Sequence, residues 1–131
     1  MAQFRQLFPR LNNVDETNPL ARWLIRAWNI IGQVEEWHEI GASGEPAFEN
    51  SWANTGGAYA TAAFYKDPFG RVHLKGRVDT GTAATTCFTL PAKYRPAATI
   101  DVDGIVITAA GLVQPSTSAD HLDNVSFRAE Q

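Results

Sequence analysis

Cysteine is almost missing from this chain. Cys87 is the only one among 131 residues, which leaves no route to an intrachain disulfide or a cysteine-built zinc site. Its neighbours Phe88, Thr89 and Leu90 predict a small buried hydrophobe. No apolar run approaches the roughly 18 residues that cross a bilayer, so membrane insertion is not expected. The opening Met1-Ala2-Gln3-Phe4-Arg5 lacks the continuous apolar core of a signal peptide, which predicts a protein made in the cytoplasm. Charge of one sign is scarce as well: 11 basic side chains face 14 acidic ones, for a formal net charge of −3. There is no Lys/Arg cluster to neutralise phosphates, and a nucleic-acid partner is not expected.

The residues of catalysis are just as thin. His38, His73 and His121 are scattered, with no HxxxH or HExxH spacing, so neither a metal nor another cofactor is expected. Asp101 and Asp103 beside Gly104 make a fragment of a calcium loop, which needs more acidic ligands and a closing glutamate. A tight turn accounts for Asp103 and Gly104 without a metal. Ser116-Thr117-Ser118 has no flanking glycines and is no nucleophile elbow. Glu45 and Glu49 are lone carboxylates without an evident local role. No catalytic constellation emerges, and the chain is not expected to be an enzyme.

What is present divides into three regions. Residues 1–18 mix polar and apolar positions around Pro9 and Asn12-Asn13. A helix is predicted from 19 to about 38, capped by Asn18 and opened by Pro19, whose missing N–H costs nothing in a first turn. Leu20, Leu24, Ala27, Ile31 and Val34 alternate spacings of four and three, which is a heptad seam. Trp23, Trp28, Ile30 and Trp37 fall off that seam. A helix apolar on several faces is normally buried on several faces, so partner chains are expected to cover it. Gly41 to Gly44 then reads as a flexible joint that closes the 19–43 region.

From residue 44 to 131 the punctuation is that of a small antiparallel β-sandwich, and the fold is expected to be mainly β. Asp67-Pro68-Phe69-Gly70 and Asp103-Gly104 are hairpin turns between apolar runs. Further strands are expected over 85–90 and 122–129, giving six or seven in all. The polar loops 79–86 and 114–120 are where binding usually resides on a β-scaffold, which makes Thr82, Thr85, Ser116 and Thr117 candidates. Trp52, Tyr59 and Tyr65 are candidates for a stacking surface, set against the sandwich core or a subunit interface.

Three phrases carry a resemblance: Gly44 to Trp52, Phe64-Tyr65-Lys66-Asp67-Pro68-Phe69-Gly70-Arg71-Val72-His73-Leu74, and Leu90-Pro91-Ala92-Lys93-Tyr94-Arg95-Pro96. Together with Leu122 to Phe127 they resemble the C-terminal β-sandwich head of bacteriophage tail-fibre and receptor-binding proteins. That resemblance implies a homotrimer with the helix as stem, its seam being Leu20, Leu24, Ala27, Ile31 and Val34. It also implies that residues 1–18 attach to other virion structural proteins, that the protein resides in the virion, and that the head binds a host surface saccharide. The alternative is a structural capsid, neck or baseplate decoration or connector with no receptor.

Overall fold

The computed structural model describes residues 19–32 and 34–130. The expected attachment segment 1–18, with its helix cap Asn18, lies outside the described residues. The chain divides into two units, residues 1–34 and 35–131.

In the first unit, α1 runs over Pro19–Gly32. It is shorter than the helix predicted to reach residue 38. Gly32 is the poorest helix former in the segment after Pro19, and the helix stops there. Of the seam, Leu24 and Val34 are exposed and Ala27 is half-buried. Ile31 belongs to the helical backbone, and its side chain lies outside the described residues. Trp23 keeps 63% of its surface exposed.

The second unit is all β, with antiparallel pairing throughout. It begins at Glu35, so residues 35–43, expected as helix end and joint, belong to the β-unit instead. Its strands are β1 (His38–Glu39), β2 (Ala53–Asn54), β3 (Ala63–Lys66), β4 (Arg71–Lys75), β5 (Arg77–Asp79) and β6 (Phe88–Thr89). After a 3-10 turn at Ala92–Tyr94 come β7 (Ile100–Val102), β8 (Ile105–Ile107), β9 (Leu112–Pro115), β10 (Asp120–His121) and β11 (Ser126–Arg128). They form three sheets in the orders β1-β3-β4-β11, β10-β5-β2 and β6-β9-β8-β7.

One hydrophobic core joins the sheets. Phe64, Val72 and Leu74 enter it from the first sheet, Val78 from the second, and Phe88, Ile105, Ile107 and Val113 from the third. Cys87 is buried among them, and burial, with the charge of Glu49, pushes its thiol up to about 12. It is chemically silent at neutral pH. On β4 the burial alternates strictly: Val72 and Leu74 point inward, while Arg71, His73 and Lys75 stand on the outer side.

The two turns read from the sequence form as expected. The Asp67–Gly70 turn closes through Gly70 N–H donating to Asp67 O at 3.0 Å, and Asp67 Oδ1 accepts from Phe69 N and Arg71 N at 2.9 and 3.0 Å. Asp103 and Gly104 both have positive φ, at 54° and 81°, the requirement of a type I′ hairpin. Asp101 Oδ1 accepts from Gly104 N at 3.1 Å, which gives that carboxylate a turn role.

The passage from β4 to β5 depends on Gly76. Its φ is +104°, and a Cβ there would lie 2.5 Å from the carbonyl carbon of Thr61. Neither the conformation nor the space suits a side chain. Gly76→Ala should therefore destabilise the β-unit by about 2–5 kcal/mol, adding left-handed strain to backbone overpacking. Denaturant unfolding checks this: a loss below about 1 kcal/mol would mean that the crossing relaxes more easily than packed backbone does.

Candidate functional site

The outer face of the first sheet gathers residues from both ends of the β-unit. The register pairs Tyr65 with His73 and His73 with Ser126, so these side chains make one row across β3, β4 and β11. Trp37, just before β1, extends the row. Its ring meets Tyr65 edge-on, with centroids 4.6 Å apart, and Tyr65 stacks on His73 at 4.9 Å. Lys75 lies in the next row, its ammonium 4.9 Å from the Trp37 ring centre and 3.2 Å from Glu39.

An open groove of about 500 Å³ runs along this row, lined by Trp37, Tyr65, His73, Leu74, Lys75 and residues 123–126. That volume is within the range of ligand clefts. The groove concentrates unused hydrogen-bonding capacity. Among the described residues, the Trp37 indole N–H, the Tyr65 hydroxyl and the Asn124 amide have no intramolecular partner. Asp123 uses Oδ1 to accept from Gly76 N at 2.9 Å, while its Oδ2 is 3.8 Å from His121 Nδ1.

Trp37 is placed by its neighbours. His38 stacks on buried Phe64 at 4.9 Å and donates through Nδ1–H to Glu45 Oε1 at 2.8 Å. Glu35 accepts from the backbone N–H of Lys66 and from the Tyr94 hydroxyl, the latter at 3.0 Å. With His38 turned in against Phe64, strand alternation sets Trp37 on the outer side, where it remains 39% exposed. Burial pushes the Tyr94 hydroxyl up to about 12, helped by the Glu35 carboxylate it bonds.

His73 is fixed in the same manner. Its Nε2 lies 2.9 Å from Asp67 Oδ2, so the turn carboxylate orients the ring. A hydrogen-bonded Asp–His pair has the residue types that orient a general base in hydrolytic triads. Ser126 stands opposite His73, but its Oγ accepts from Arg71 Nη2 at 3.1 Å.

The residues singled out by sequence lie elsewhere. The loops 79–86 and 114–120 do meet, through Ala84 N–H to Pro115 O at 2.8 Å. Their hydroxyls, though, mostly shape the loops themselves. Thr85 Oγ1 donates to Thr82 O and accepts from Trp52 Nε1, and Thr117 Oγ1 donates to Ala119 O. Thr82 and Ser116 are exposed. Trp52 is not a stacking surface: it is 3% exposed, because Gly81 packs so closely that a Cβ there would sit 2.0 Å from the indole. Tyr59 is exposed beside the Arg77 guanidinium and His121, and does not line the groove. Tyr65 alone of the three aromatic candidates reaches the groove. Trp37, His73, Asp123, Asn124 and Ser126 escaped the sequence reading. The alternation of Arg71 to Lys75 was the signal that could have found His73. Glu45 and Glu49, without a visible role in sequence, bond His38 and Thr89.

Two titrations should bracket the stability of this face. Burial alone would lower the pKa of His38, but the hydrogen bond and charge of Glu45, with the charge of Glu35, outweigh it and hold the pKa above its ordinary 6.5. The folded state thus prefers the imidazolium. Its contribution is complete below 6.5 and is lost as pH rises through the raised folded value. Burial of Asp67 acts to raise its pKa, but His73 and the two backbone N–H donors prevail and hold it below 3.8. That contribution is present above 3.8 and is lost as pH falls through the depressed value. The melting temperature should decline on both sides, and His38→Gln should flatten the alkaline arm while leaving the acid arm. An unchanged alkaline arm in that variant would assign the decline to another group.

No protein-family model, curated protein or solved structure matches this chain.

Proposed function

We propose that the β-unit is the saccharide-binding head of a phage virion appendage, without catalytic activity of its own. The carrying observation is the continuous Trp37–Tyr65–His73 row, open to solvent beside unspent hydrogen-bonding groups. A sugar ring needs an apolar plate for its C–H face together with donors and acceptors for its hydroxyls. Aromatic rings supply area at little entropic cost while leaving polar edges wet. The groove is open rather than enclosed, which suits a stretch of surface polymer better than a small metabolite.

The assembly completes the reading. Residues 1–18 attach to other virion proteins, and α1 is the stem of a homotrimer, supported by the exposed Trp23 and Leu24 and by the heptad seam. Three linked grooves turn weak single-site affinity into firm attachment, since linkage can raise avidity by about 10²–10⁴ without any new contact.

Two measurements test this. Light scattering should give about three times the 14.3 kDa chain mass, and Leu24→Asp with Ile31→Asp should loosen the assembly. Trp37→Ala should weaken saccharide binding by about tenfold per site and reduce host-cell adsorption, with little change in melting temperature. Adsorption equal to the parent's would remove the groove from the receptor site. An intact assembly that adsorbs to no susceptible host would put a capsid, neck or baseplate decoration in place of the receptor reading.

A further inference from the structure

Two arginines face each other on the ladder that pairs the groove residues His73 and Ser126. Arg71 on β4 is the register partner of Arg128 on β11, and both are exposed. Alternation sets Arg71 on the side of His73 and Arg128 on the side of Ser126, so the pair shares the outer face with the aromatic row. Like charges directly opposite on a sheet repel. The arrangement also runs against a chain whose formal net charge is −3.

The other basic side chains of this face have acidic neighbours. Lys75 has Glu39 at 3.2 Å, and His73 has Asp67 at 2.9 Å. Among the described residues, neither Arg71 nor Arg128 has a carboxylate partner. The side-chain bond of Arg71 goes to the neutral Ser126 hydroxyl, which itself lines the groove. Arg71 is two residues from His73, roughly 7 Å along the strand, within reach of a sugar unit stacked on the row.

We infer that the bound saccharide is anionic and that Arg71 and Arg128 receive its charged group, a phosphodiester or a carboxylate. This rests on the saccharide reading of the groove. Planar guanidinium forks match both groups bidentately, where a lysine would offer only a point charge. Carboxylates stand toward both ends of the row, Asp67 on Arg71 N and His73 and Asp123 on Gly76 N, so it is the guanidinium forks that select the anion.

The experiment titrates the intact assembly with poly(glycerol phosphate), polygalacturonate and neutral dextran, at low and near-physiological salt, and measures host adsorption of the same variants. One of the anionic polymers should bind at least about tenfold tighter than dextran and weaken as salt rises, and the one that binds identifies phosphate or carboxylate as the group. Arg71→Gln and Arg128→Gln should each weaken that binding by about tenfold. Their melting temperatures should equal or exceed the parent's, since repulsion between facing cations is relieved. Should none of the three polymers bind, adsorption decides: loss in the arginine variants as well as in Trp37→Ala supports the inference. Loss in Trp37→Ala alone overturns it and leaves the saccharide reading standing, as would dextran binding as tightly as the anions with no effect of the arginine variants. Adsorption indifferent to Trp37→Ala, with no polymer bound, removes both.

Discussion

His38 sits between Glu35 and Glu45 with its ring against Phe64, and the outer face is organised from that contact. The residues after α1 could have been a linker. Instead the imidazole, drawn in by two carboxylates and an aromatic ring, holds His38 and Glu39 along β3 as an edge strand. Once His38 points inward, the pleat leaves Trp37 no choice of side. The first indole of the aromatic row is thus placed by an electrostatic clamp on the opposite side of the strand. A polar cluster of this kind contributes little as exposed pairs go. Its importance lies in choosing one register over another, since a one-residue slip would exchange Trp37 with His38.

The division between sheet and loops follows from where the polar groups are spent. In the 82–85 and 117–120 loops, hydroxyls bond the backbone of the same loop, which is the ordinary reason for Thr and Ser in turns. Those groups are stiffening devices. On the sheet face, backbone groups are already satisfied by the ladder, so the Trp37 indole, the Tyr65 phenol and the Asn124 amide remain available. A rigid sheet also holds these groups at fixed spacing, which suits a repeating polymer.

Local chemistry made part of the fold legible in the sequence. The Asp67–Gly70 and Asp103–Gly104 turns could be read because proline, aspartate and glycine each have a backbone reason to stand there. The antiparallel, mainly β character followed from those turns and the apolar runs they separate. β9 was missed because Gly111 and Pro115 bound it, and both look like breakers. β2 and β10 span two residues each, too few for any period. Trp37 was hidden for a different reason: it continues the apolar surplus of α1, and only pairing with β3, 25 or more residues away, distinguishes strand from helix. Trp52 could be read as stacking surface or as core, and its burial depends on Gly81, 29 positions later. Pairings of that range leave no trace in a local window. The aromatic row is therefore a tertiary property, while the turns are local ones.

The order of the first sheet, β1-β3-β4-β11, also constrains how the protein comes into being. β3 and β4 form a local hairpin that can close early, but β11 joins β4 only after more than fifty intervening residues have been made. Non-local pairing of this sort comes late in folding, because loop closure must precede the contacts that reward it. Trp37 and Ser126 lie near the two ends of the β-unit, so the groove has no partial form on a growing chain. An unfinished polypeptide would carry the hairpin and the indole but no finished surface. The groove is a property of the fully paired β-unit alone.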